Sequence, residues 1–354
     1  MPRPNRIWSM WFLLLVLGAS IFVLTMIDKQ LEERREQTAL MALPDGWHVL
    51  LRAENVMSMA EMGDRIWAGG RRGVYEIDRQ TAEVIRQMEF PWPVAYVTSV
   101  LVDDQERLWV GYEDGVVVWD GSTFTHLTAP DSLPDNRVNT LYQDSSSRIW
   151  VGTWGGAAFH DGLDWNWITT EEGLATNMVN AIMEDNVDSL WFGAYAVPDG
   201  AVSIRHGDGT WQYFTTAEGL PNDNVTAFLE VEPGIVWVGT GFYTRGGAAL
   251  FAHSGETWAL ENIMEKEDGL AGEKVRSLYQ DDLGNLWFGS EFDGVMIMRG
   301  GNRTILTEDD GLSHQEILSI LQDADGDIWL GTLDGITKLD NEVVQELPRT
   351  PEKP

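Results

Sequence analysis

The triplet Trp-x-Gly recurs in register at Trp67, Trp109, Trp150, Trp191, Trp237, Trp287 and Trp329, at intervals of 42, 41, 41, 46, 50 and 42 residues. A large aromatic and a glycine, two apart and recurring at a period in the forties, call for like units set side by side. The register extends beyond the triplet. Six residues before the tryptophan stands Asp103, Asp144, Asp185, Asp281 or Asp323, with Glu61 and Val231 in the two remaining units. Twelve before it stands Val97, Val138, Val179, Val225, Val275 or Ile317, with Val56 offset by one in the first unit. Two positions further on, the side chain is always small: Ser58, Ser99, Thr140, Ala181, Ala227, Ser277 and Ser319.

Each unit reads as four short strands. "VNTLYQD" is an innermost strand, and its small residue lets neighbouring sheets converge near an axis. The Asp and the polar residues after it make a hairpin turn. The tryptophan fills the wedge between two sheets, and the glycine lets backbone pass closely or bend. Strands such as "GVVVWD" and "TFTHLT" follow as third and fourth. The expectation is an all-β seven-bladed β-propeller.

A second signature links the units. Leu133, Leu174, Leu220, Leu270 and Leu312 each precede the strand-starting Val or Ile by five residues, as in "EEGLATNMV" and "AEGLPNDNV". A buried leucine there pins the crossover between blades. The first unit has "MEFPWPVAYV" instead, and the fifth has "VEPGIVW" in place of the Asp turn. The two signatures together resemble the two-component regulator propeller repeat, G-L-P-x-N-x-V followed by D-x-x-G-x-L-W-x-G-T, over all seven units. To close the ring, "GWHVLL" (46–51) is expected to complete the last blade, with "EVVQEL" (342–347) as its competitor.

Ahead of the repeats, residues 7–27 carry no charge. As a helix they would run about 31 Å, against a bilayer core of about 30 Å. That length favours one retained N-terminal transmembrane helix over a cleaved signal peptide. The expected organisation is a membrane anchor over 1–28, a charged stalk over 29–44, the propeller over 45–347 and a tail over 348–354. Arg3 and Arg6 precede the apolar run while Lys29, Arg34 and Arg35 follow it, so charge leaves the orientation open.

The chain has 354 residues, 56 acidic against 24 basic, for a formal charge of −32. Such a surface repels nucleic acid phosphates and anionic lipid, so nucleic acid is excluded as a partner. There is no cysteine, which removes disulfides, thiolate metal sites and a cysteine nucleophile. The six histidines show no metal-ligand spacing, and no metal or other cofactor is expected. "DADGDIW" at Asp323 has its glycine fourth where a calcium loop has it sixth, and reads as a turn. Asn224 and Asn302 fit the N-x-Thr glycosylation pattern.

The loops joining strands two and three gather on one face of a propeller. They carry Tyr112, Trp154, Tyr195, Phe242, Tyr243 and Phe292, with the cations Arg71, Arg72 and Arg245. An arc of aromatics with acids (Asp114, Asp293, Asp334) and arginines suits a ring-shaped ligand, carbohydrate first, whose carboxylates or sulfates the arginines pair. The other reading is that these rings fold down and plug the channel. His314, near Glu316 in "GLSHQEI", is the candidate general base, and no catalytic residue is assigned. The resemblance implies an extracytoplasmic sensor or interaction module, often set ahead of a histidine kinase. Here "PRTPEKP" follows the repeats and no kinase is read, so the expectation is a plasma-membrane module that signals through a separate membrane protein. A propeller-fold lyase or hydrolase, or a protein-docking scaffold, are the alternatives.

Overall fold

The computed structural model describes residues 43–195 and 200–348, so the expected anchor, all but the end of the stalk and nearly all of the tail lie outside the described residues. Among the described residues, 28 strands form seven four-stranded antiparallel sheets. Blade 3 is representative: Val138–Gln143, Ile149–Thr153, Gly156–His160 and Trp165–Ile168 pair in chain order. The innermost strands are Val56–Met62, Ser99–Val102, Val138–Gln143, Val179–Glu184, Val225–Glu232, Val275–Gln280 and Ile317–Gln322. Each contacts the next, and the last contacts the first, so the ring is closed. No described helix is long and apolar enough to cross a membrane.

Closure uses the expected strand. Trp47–Leu50 pairs antiparallel with Gly335–Leu339, in the register Trp47↔Leu339 to Leu50↔Ile336. Its competitor is not a strand: Asn341–Gln345 is a short α-helix that buries Val344, followed by a buried Leu347. Asp334 accepts bonds from the Ala53 amide (2.7 Å) and Arg52 (3.1 Å), and His48 reaches Asp340 at 3.0 Å. Arg79 of blade 1 bridges Glu61 (2.8 Å) and Asp325 of blade 7 (3.4 Å). Every sheet is thereby completed from within residues 47–339, and the described residues from 45 to 348 form one compact unit.

The triplet has a physical explanation in the contacts between blades. All seven motif tryptophans are buried. Trp109 packs on Val138, Leu141 and Val151 of the next blade, and Trp329 on Val56 and Ile66 of the first. Removing such a wedge costs about 3–5 kcal/mol. The glycine is a socket. A Cβ on Gly111 would lie 2.6 Å from Val138 Cγ1, and one on Gly193 would lie 2.5 Å from Val225 Cγ1. The strand-starting Val or Ile of each following blade borders that space. Across the hairpin the glycine faces the small residue, as in Gly111↔Ser99 and Gly193↔Ala181.

The turn aspartate does more than turn. Its Oδ1 accepts backbone amides of its own hairpin, while Oδ2 accepts the indole N–H of the tryptophan six residues on. This bond measures 2.7–2.8 Å in all five blades that have the Asp. In blade 1 Glu61 is engaged elsewhere and Trp67 Nε1 is buried without a partner. Blade 5 lengthens its first two strands to Val225–Glu232 and Ile235–Phe242, and Glu230 accepts the Gly234 amide at 2.8 Å. At the crossovers all five signature leucines are buried. Each leucine amide donates to the carbonyl five residues back, as Leu174 does to Thr169 at 3.0 Å.

Candidate functional site

Antiparallel pairing puts the loops between strands two and three, and the crossovers, at one end of the ring. There a β-bulge interrupts six of the seven innermost strands, just after the strand-starting Val or Ile. A bulge leaves one residue unpaired and re-aims its side chain. Here those residues, with Thr98 in blade 2, are Met57, Thr98, Asn139, Asn180, Thr226, Arg276 and Leu318, and they line a cavity of about 450 Å³ on the axis. Four of them stitch blades together. Thr98 donates to the Val138 carbonyl (2.7 Å), Asn139 to Val179 (2.9 Å), Asn180 to Val225 (3.0 Å) and Thr226 to Val275 (2.6 Å).

Arg276 is the single charge among the seven. Its guanidinium pairs with Glu316 at 3.2 Å, while the adjacent Lys274, almost fully buried, pairs with Glu291 at 3.0 Å. Burial pushes the Glu316 carboxyl above its ordinary range. Burial, and then the charge of Arg276, pull the Lys274 ammonium below its own. Lys274 Nζ also lies 5.6 Å from the centre of the Tyr195 ring, and burial raises the Tyr195 hydroxyl. Two cations and two carboxylates thus cluster at the mouth, with Arg276 lining the cavity itself.

Of the residues expected from sequence, Trp154 and Tyr195 line this cavity. The Trp154 ring is 43% exposed. Its N–H donates to Asn139 Oδ1 at 3.1 Å, and Arg137 lies over it at 4.2 Å. Phe242 extends the arc, 6.3 Å from Tyr195 and 4.4 Å from Tyr243, whose ring is 70% exposed. Phe292 is exposed on blade 6, Arg245 is exposed beside Tyr243, and Arg71 and Arg72 are exposed on blade 1. None of these four is among the residues lining the cavity.

Tyr112 departs from the expected arc. It is 2% exposed, packs in the core between blades 1 and 2, and its hydroxyl meets His126 Nε2 at 3.0 Å. Desolvation pushes that hydroxyl up to about 12. The three acids already have partners: Asp334 in the clasp, Asp114 with Asn136 (3.1 Å) and Asp293 with Lys266 (3.3 Å). His314 Nδ1 accepts the Glu316 amide at 2.9 Å. Asp323 caps Trp329 and its own turn. Asn224 is fully buried, so a glycan could not be accommodated there in the folded state, whereas Asn302 is exposed. Among the described residues no three His, Asp or Glu side chains converge as a metal site.

Sequence reasoning missed Lys274, Arg276 and Glu291, and named Glu316 only as a neighbour of His314. A signal for Arg276 was present, because the position after each strand-starting Val or Ile is uncharged in the other six units.

The closed ring of seven four-stranded sheets makes the chain a seven-bladed β-propeller. The family model of the two component regulator propeller matches residues 132–155, 219–242, 269–292 and 311–334. No curated protein matches the chain. Among solved structures, one described as the extracellular domain of a hybrid two component system, BT3049 from B. thetaiotaomicron, superposes with a TM-score of 0.72 at 19% identity. The alignment covers 87% of this chain and 43% of that one, so this chain spans less than half of that protein's length. The catalytically inactive virginiamycin B lyase from Staphylococcus aureus with quinupristin gives 0.65 at 13% identity, covering 83% of this chain and 98% of the other. At these identities the likeness is one of fold.

Proposed function

We propose that the protein is a ligand-binding sensor propeller, acting outside the cytoplasm, whose axial mouth takes a carbohydrate bearing acidic groups. The observation that carries this reading is the pairing, around one cavity of about 450 Å³, of an exposed indole with Arg276, the one charged side chain among the seven axial positions. A sugar ring stacks on Trp154, Tyr195 flanks it, and Arg276 receives a carboxylate. A guanidinium can hold a second carboxylate while keeping its first, because its donors are arranged as a fork. The volume falls in the range of small-molecule sites, about 300–1,000 Å³. The extracytoplasmic setting is supported by the likeness to an extracellular domain of a two component system and by the uncharged segment 7–27, which we assign as the anchor. Signal output then passes to a separate membrane protein.

The reading is of binding rather than turnover, with His314 serving the crossover turn. Calorimetric titration of the propeller unit (45–354) with tetragalacturonate and with the neutral cellotetraose tests it. Saturable binding of the acidic oligomer is expected, weakened at least about tenfold by Trp154→Ala and by Arg276→Gln, since a hydrogen bond to a charged group is worth about 1.5–3 kcal/mol. Absence of binding by both oligomers, or equal binding in the two variants, contradicts it.

A further inference from the structure

The opposite end of the ring, where strands one and two and strands three and four are joined, holds a second cleft of about 440 Å³ between blades 2 and 3. Its apolar walls include Trp109, Val118 and Leu127 of blade 2, with Ile149 and Trp165 of blade 3. Two guanidinium groups, Arg107 and Arg148, stand over them, one from each blade.

The repeat supplies an internal comparison. Two residues before the motif tryptophan the seven units carry Arg65, Arg107, Arg148, Ser189, Ile235, Asn285 and Asp327. Adjacent blades 2 and 3 therefore present arginines to a shared cleft. Arg65 is surrounded by Asp64, Glu76 and Asp78 at 2.9–3.3 Å. Arg107 and Arg148 are held differently. Each bonds one carboxylate, through Nε at 2.6 Å, to the aspartate that caps its tryptophan. That bond engages Nε, and each side chain remains 34% exposed. The acid in the cleft, Asp161, is turned into its own hairpin, accepting the Leu163 and Asp164 amides at 2.9 Å and Asn166 Nδ2 at 3.0 Å. Asp104 is held by the Ser147 hydroxyl. Two forked cations above an apolar floor run against the trend of a chain with a charge of −32.

We propose that this cleft is a second binding site, separate from the axial mouth, for a small amphipathic anion. Its flat apolar body lies on the half-buried Trp165 and Leu127, and its carboxylate, sulfonate or sulfate lies across the guanidinium groups of Arg107 and Arg148. Such a ligand satisfies both features at once, since forked donors match oxyanions and the floor matches an apolar ring.

The probe is anilinonaphthalene sulfonate, titrated by fluorescence into the propeller unit, with neutral phenylnaphthylamine in parallel. Saturable binding of the sulfonate is expected, weakened at least about tenfold in the Arg107→Gln, Arg148→Gln double variant. Ser146→Trp is the second arm: Ser146 is exposed on the turn lining the cleft, so a bulky ring there blocks the site without opening the core. It is expected to abolish binding, while Trp154→Ala leaves it unchanged. Wild-type affinity in both cleft variants overturns the proposal, as does binding of the neutral probe as tight as that of the sulfonate. Loss of dye in Trp154→Ala instead assigns the dye to the axial mouth and removes the second site, leaving the first reading intact.

Discussion

The indole nitrogen of Trp287 donates to Asp281 Oδ2 across 2.8 Å in the interior of blade 6. The same carboxylate accepts Asn285 Nδ2 at 2.7 Å and, through Oδ1, the Leu283 and Asn285 amides at 3.0 and 2.8 Å. One buried anion therefore holds both the turn and the wedge that spaces the sheets. Replacing Asp281 with Ala leaves several donors without partners, and the expected loss is about 2–4 kcal/mol. Urea unfolding checks this; a change within about 0.5 kcal/mol, the range of ordinary surface substitutions, would refute the role.

The glycine socket predicts a coupled pair. Gly111→Ala drives a methyl into Val138 Cγ1, and overpacking of this kind costs about 1–3 kcal/mol. Val138→Ala alone leaves a void at the blade interface. In the double variant the new methyl occupies the space the valine vacates, so the two losses are expected to be clearly sub-additive. A double-mutant cycle by urea unfolding measures the coupling, and strict additivity would show that the two residues do not share the socket.

The ring depends on its clasp. Deleting residues 1–54 removes Trp47–Leu50 and leaves Gly335–Leu339 as an unpaired edge. Exposed edges of this kind recruit other chains. The truncated protein is expected to self-associate in light scattering and to melt lower than a protein beginning at Asp45. A synthetic peptide of residues 45–54 should reverse both effects by adding the missing strand. A monomer of unchanged melting temperature would mean that the last blade is stable with three strands.

Glu316 gives the mouth a pH dependence. Burial raises its carboxyl, with Arg276 and Lys274 opposing that rise and Glu291 adding to it; the backbone amide of Glu316 is held by His314. A carboxyl raised in the folded state contributes stability that is full below the ordinary carboxylate range and is lost as pH rises through the elevated value. Protonation also frees Arg276 from its internal partner. Affinity for tetragalacturonate should therefore increase as pH falls through the raised range of Glu316 while the sugar carboxylates stay ionised. Glu316→Gln should bind as the wild type does at low pH and lose the dependence. An unchanged pH profile in that variant would remove Glu316 from the mechanism.

The architecture was legible because the repeat supplies seven readings of each position. Period, wedge, crossover leucine and clasp all follow from burial, which leaves a pattern in sequence. The roles of Asp281 and Gly111 were less visible, since a turn residue and a packing socket use residue types that turns and bulges also use. At the mouth, loop position located Trp154 and Tyr195 but misplaced Tyr112, because a ring at the end of strand two can point outward or back into the core. Lys274, Arg276, Glu291 and Glu316 come from two blades, and their meeting depends on ring curvature and on the bulge that turns residue 276 toward the axis.

Hydrogen exchange with and without saturating tetragalacturonate is the most direct test of the axial mouth as the binding site. Protection is expected in residues 137–140, 178–181 and 274–277, where the lining residues of blades 3, 4 and 6 reach the axis. Protection confined to the opposite end of the ring, or no change anywhere at saturation, would contradict the assignment.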